Sequence, residues 1–180
     1  MVRAPECTTM GVWGVAVAVA LVAACAKQES AAPLPPELSG MKLVRVTTGQ
    51  GAAAMIARLH GKDVAPAESH IGYYGGGAMQ AVLYVSRFAS DEEARSQLAA
   101  MSDRIGAGSS GFGHHAQFTI DAREIHLVLG QGQVHYFFTE GSDLSWLAMR
   151  PDLARAGLAE LLDVELERVP SLEQLLVGVG

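Results

Sequence analysis

The stretch HHAQFTIDAREIHLVLGQGQVHYFFTEGSDLSWLAM, His114–Met149, decides the fold. It divides into HHAQFTID, EIHLVLG, QVHYFFT and DLSWLAM, four segments of strand length parted by turn-forming residues. Such spacing predicts an antiparallel meander, with turns at Ala122-Arg123, between Gly130 and Gln133, and at Glu140-Gly141-Ser142. The first turn sets His126 opposite Thr119, and the second sets His126 opposite Phe137 and His135 opposite Val128. Because successive strand residues point to opposite faces, the meander sorts into two sets. Phe118, Ile120, Ile125, Leu127, Leu129, Val134, Tyr136 and Phe138 form the core face. His115, Gln117, Thr119, Asp121, His126 and His135, with Val128 and Phe137 among them, form the other, which is expected to lie open.

Upstream of the meander, MKLVRVTTG (Met41–Gly49) reads as a strand and QGAAAMIARLHG (Gln50–Gly61) as a helix with Met55, Ile56 and Leu59 on one side. SHIGYYGGGAMQAVLYVSRF (Ser69–Phe88) reads as a hairpin turned by Gly75 to Gly77. Ser90 and Glu93 then make an S-x-x-E capping box, and Ala94, Leu98, Met101 and Ile105 recur at helical spacing, predicting a helix over 91–105. Pro151 opens a third helix with Leu153, Leu158, Leu161 and Leu162 on its apolar side, and the C-terminus adds a short turn. The expected fold is therefore α+β: an antiparallel sheet of about six strands with two or three helices packed on one face. A weak echo between YYGGGAMQAVLYV and YFFTEGSDLSWLAM hints at a repeated hairpin-helix unit.

The 180 residues are 49% hydrophobic and 18% charged, enough for one domain with a sizeable core. The net charge of -6 comes from scattered acids, and no basic stripe is present to neutralise phosphates. Nucleic acid is thereby excluded as a partner.

The N-terminus carries a different signal. GVWGVAVAVALVAA (Gly11–Ala24) is uninterrupted and apolar, shorter than the ~20 residues a spanning helix needs. It closes on Val22-Ala23-Ala24-Cys25, which resembles the lipobox of bacterial lipoproteins. That resemblance implies cleavage before Cys25, lipidation of its thiol and acylation of its new amine, so that two or three chains anchor the protein stably. The alternative is an uncleaved anchor helix; in either case the folded part lies outside the cytoplasm. Ala26, where inner-membrane lipoproteins often carry Asp, favours the outer membrane by the same resemblance. The organisation is then a signal peptide over 1–24, a lipidated cysteine and Pro-rich linker over 25–40, and one α+β domain over 41–180. With Cys7 removed and Cys25 acylated, the mature chain has no thiol, which excludes disulfides, thiol catalysis and cysteine-ligated metals.

Of six histidines, His126 and His135 fall as diagonal neighbours on the open strand face, with Cβ atoms ~7–8 Å apart. Two imidazoles at that distance suit one transition-metal ion, with His115 farther off, opposite Gly130. No H-x-x-x-H or H-E-x-x-H spacing reinforces the set. Gly49-Gln50-Gly51-Ala52-Ala53-Ala54 fits a dinucleotide fingerprint without the alternating βα units it needs, and Ser39-Gly40-Met41-Lys42 fits S-x-x-K at a linker end. The sequence thus points to a non-enzymatic, lipid-anchored module that binds a protein or small ligand through the open sheet face and the glycine loops, with a protein partner in the envelope and no cofactor. The alternative is a metal- or haem-binding protein using His126, His135 and His115; a hydrolase with a site the sequence does not reveal comes third.

Overall fold

The computed structural model describes residues 34–60, 66–76, 78–108 and 111–177; the leader, Cys25 and Gly77 lie outside them. The fold is α+β, with eight antiparallel strands in one sheet and four α-helices among the described residues. In chain order these are β1 (Glu37–Leu38), β2 (Met41–Thr48), α1 (Gly49–His60), β3 (Glu68–Gly76), β4 (Ala78–Arg87) and α2 (Asp91–Gly106). They are followed by β5 (Gly113–Ile120), β6 (Arg123–Gly130), β7 (Gln133–Glu140), β8 (Asp143–Met149), α3 (Pro151–Leu162) and α4 (Leu172–Leu176). The strand order β1-β2-β3-β4-β8-β7-β6-β5 joins two meanders through the β4–β8 pair, so the sheet is larger than the six strands expected.

The helices cover both faces of this sheet, which corrects the expectation of a single covered face. Helix α2 packs Ala94, Leu98, Met101 and Ile105 against Val128, Phe137, Leu144, Trp146 and Ala148. Helix α1 extends this layer, with Ala52 and Ile56 on Ile71, Tyr73 and Val82. Helix α3 lies on the opposite side, where Ala154, Leu158 and Leu162 meet Leu83, Tyr136, Phe138, Leu147 and Met149. The physical reason stands in β6 to β8 themselves: HLVLG, HYFF and WLAM are apolar at both parities, as strands buried on two faces must be. The repeated hairpin-helix unit is not upheld either. A two-fold axis through an antiparallel pair keeps equivalent helices on one face, whereas α2 and α3 lie on opposite faces.

Local signals hold closely where their chemistry is strong. Ser90 accepts a hydrogen bond from the Glu93 amide at 3.2 Å and Glu93 accepts one from the Ala89 amide at 3.1 Å, fixing the start of α2. The N-terminal boundary does move: Leu34 and Leu38, read from sequence as linker, are buried in the core, and β1 pairs with the start of β2. Beyond that pair the outer edge of β2 continues past a bulge between Leu43 and Arg45, leaving Val44 59% and Val46 47% exposed.

The first meander turn lies one residue earlier than the sequence reading placed it. Ile120 pairs with Arg123, and Asp121 and Ala122 both adopt positive φ, 48° and 63°, in a two-residue loop of type I′ character. His126 consequently faces Gln117 rather than Thr119, although the two faces keep their membership. Holding alanine in the left-handed region costs ~1–2 kcal/mol, partly offset by its lower unfolded-state entropy relative to glycine. Ala122→Gly is therefore expected to raise the unfolding free energy by about 0.5–1 kcal/mol in urea titration, and an unchanged or lowered midpoint would count against the strain.

Candidate functional site

The buried histidines lie on the sheet face that α2 covers. Strand pairing aligns Gln117, His126, Phe137, Trp146, Tyr84 and Ile71 in one row across β5, β6, β7, β8, β4 and β3. The rings in its middle stack: His126 on Phe137 at 4.8 Å and 13°, and Phe137 on Trp146 at 4.9 Å and 11°. These offsets combine apolar burial with favourable ring contacts.

A bulge in β5 brings a second imidazole to the column. Gly113 pairs with Leu129 and Ala116 with Leu127, so one extra residue is accommodated, with His114 at φ 55°. Bulges of this kind redirect neighbouring side chains. His115 consequently reaches His126 instead of standing opposite Gly130: its Nε2 lies 3.1 Å from His126 Nδ1, and the rings stack at 5.3 Å. Ser102 Oγ, from α2, lies 3.5 Å from the same His115 nitrogen.

Partners assign the tautomers. His126 Nε2 donates to Glu124 Oε1 at 2.8 Å, leaving Nδ1 to accept from His115 Nε2. Burial lowers the pKa of His126 and the His115 charge adds to this, against the hydrogen bond and charge of Glu124, which act in the opposite direction. His115 is lowered by burial as well.

His135 belongs to the same face but not to this cluster. Its Nδ1 accepts from Trp146 Nε1 at 3.0 Å and its Nε2 donates to the Gly130 carbonyl at 3.1 Å, so both nitrogens are engaged. It is 4% exposed, and burial lowers its pKa against the opposing effect of that carbonyl. Phe112 covers it edge-on at 4.8 Å and leans on Trp146 at 5.4 Å. The diagonal His126–His135 placement anticipated from sequence is present, yet the two rings turn to different partners. Among the described residues, no group of three or more His, Cys, Asp and Glu side chains is arranged to hold a metal ion.

Sequence reasoning missed Glu124, Ser102, Phe112 and Gly130. Glu124 was findable, since it lies two positions before His126 and so on the same strand face. Ser102 follows Met101 on the buried side of α2, a weaker sign. The pairing of Phe112 with Gly130 had no local signature: a Cβ at Gly130 would lie 2.4 Å from Phe112 Cδ1.

Clefts open on both faces of the sheet. One, about 550 Å³, opens between α2 and the ends of β6 and β7, lined by Arg95, Arg123, Glu124 and Glu140, so that Glu124 connects it to the buried imidazoles. Arg123 is held there by Glu140 at 2.8 Å and by the Leu162 carbonyl at 3.1 Å. The other, about 400 Å³, lies on the α3 face beside Phe138 and Ser145, where Asp143 grips Arg87 through two hydrogen bonds of 2.7 and 2.8 Å.

The geometry defines a two-faced α+β sheet domain with a buried histidine–aromatic column. Compared with protein-family models, with curated proteins and with solved structures, the chain gives no match.

The column makes two predictions. Because the folded pKa values of His126 and His135 lie below the ordinary imidazole value near 6.5, their stabilisation is complete above that pH. It is lost as pH falls below it, by up to about 1.4 kcal/mol per pH unit for each ring. Urea titrations in chelator-containing buffer are expected to show about 1–3 kcal/mol less stability at pH 5.5 than at 7.5, and equal values would refute neutral burial of the rings. Gly130→Ala is expected to cost about 1–3 kcal/mol by pushing Phe112 off His135 and Trp146, with a change in near-ultraviolet circular dichroism. A silent substitution would show that the Phe112 contact is easily replaced.

Proposed function

We propose that this chain is a lipid-anchored binding module of the bacterial envelope, held through Cys25 and facing the periplasm or the cell exterior. The observation that carries the reading is the apolar run closing on Val22-Ala23-Ala24-Cys25, followed at once by a polar, proline-containing segment. The structure adds a dimension. Leu34, the first described residue, is buried, and nine positions separate it from Cys25, a reach of at most ~30 Å. An anchored domain would therefore stand close to the headgroups. Ala26 supports placement at the outer membrane.

The expectation of binding through an open sheet face gives way to the clefts at the helix ends, because both sheet faces carry helices. The cleft beside Glu124 sets two guanidinium groups and two carboxylates around its mouth, which suits a polar ligand or a protein segment of mixed charge. A metal-binding role is the second reading, favoured by the 3.1 Å approach of His115 and His126.

Anchoring is tested by mass spectrometry of the membrane fraction. The wild-type protein is expected to begin at Cys25 with lipid on its thiol and amine, and Cys25→Ala to lose both the lipid and the processing. A membrane-bound wild-type chain with an intact Met1 and a free Cys25 thiol would replace this reading with that of an anchor helix.

A further inference from the structure

We propose that His115 and His126 form a binding site for a divalent transition-metal ion of the zinc or copper class, held between His115 Nε2 and His126 Nδ1. The two nitrogens lie 3.1 Å apart. Two imidazole nitrogens each ~2.0–2.1 Å from one ion and this far apart subtend about 100° at it, close to a tetrahedral angle. An ion that close to both nitrogens lies about 40° off the line joining them, so each ring turns its lone pair by about that angle as the shared proton gives way to the metal.

The surroundings fit that exchange. Glu124 accepts from His126 Nε2 at 2.8 Å, which fixes the tautomer and leaves Nδ1 with its lone pair toward His115. Carboxylates in this position behind a metal-bound imidazole orient it and raise its basicity. Ser102 Oγ, 3.5 Å from His115 Nε2, supplies an oxygen beside the pair, and water completes the set. His115 carries its hydrogen on Nε2 in the metal-free pair; on binding that proton transfers through solvent to Nδ1, and no net proton is released. Entry is open from the sheet edge, because β5 is the terminal strand and His115 is only partly buried. An imidazole pair with hydroxyl and water ligands selects zinc, copper or nickel over magnesium or calcium. His135 is not a ligand, since its nitrogens serve Trp146 and Gly130. The site is independent of membrane anchoring.

Calorimetric titration of zinc, and separately of copper(II), into the full chain in detergent at pH 7.5 tests it. Wild type and variants share the same two cysteines, so any thiol contribution is common to all. His115→Ala, at the more exposed position, is expected to weaken binding by about tenfold or more, and Glu124→Gln by about 10–100-fold. His135→Gln is expected to retain wild-type affinity, and zinc to raise the melting temperature of the wild type but not of His115→Ala. Copper(II) is also expected to quench Trp146 fluorescence, through the His126–Phe137–Trp146 stack, in the wild type alone. Equal affinities for the wild type and a folded His115→Ala, or no binding by the wild type up to about 1 mM metal, would overturn the site.

Discussion

Pairing of β4 with β8 is the constraint from which the rest of the molecule follows. Seven residue pairs, from Ala81–Met149 to Arg87–Asp143, weld two separate meanders into one sheet. The Arg87–Asp143 ion pair lies at one end of this seam and a hydrogen bond from the Arg150 amide to the Gln80 carbonyl at the other. Since β8 takes the place beside β4, the chain leaving β4 has to travel to the far edge before it can begin β5. Helix α2 is that crossing, and it comes to rest on β7 and β8. Its path places a lid of Leu98, Met101 and Ile105 over whatever side chains the central row presents.

Those side chains include imidazoles that are then denied water. A buried polar ring without a partner costs ~1–3 kcal/mol, so each histidine is matched inside the protein. His126 is matched by Glu124 and His115, and His135 by Trp146 and Gly130. Satisfaction with neighbouring nitrogen and carboxylate groups, instead of with carbonyls alone, gives the His115–His126 pair its chemical potential. The His135 environment is closed, whereas the pair has a side toward the sheet edge.

Much of the fold was legible because its signals are local. The capping box at Ser90, the turn between Gly130 and Gln133, and the face membership of β6 and β7 all follow from a few adjacent residues. What was not legible depended on counting across irregularities. A turn one residue earlier moved the partner of His126 from Thr119 to Gln117, and the bulge at His114 carried His115 from the vicinity of Gly130 to His126. The covered second face was written in the doubly apolar strands, but His126 and His135 among them, with His115 on β5, read as exposure. Leu34 and Leu38 were hidden by the neighbouring prolines, whose composition resembles a tether even though both leucines belong to the core.

That last feature determines how the domain carries load. Any pull transmitted through the segment before Leu34 reaches the domain at the rim of the sheet, where the segment is held by two β1–β2 residue pairs, by the buried Leu34 and Leu38, and by hydrogen bonds from the Tyr74 hydroxyl and the Leu43 amide to the Pro35 and Pro36 carbonyls. These contacts stand between such a pull and the seam of β4 with β8, which lies three strands farther in. The buried leucines and the short strand β1 are thus the fastening that such a pull meets before it meets the central row of rings.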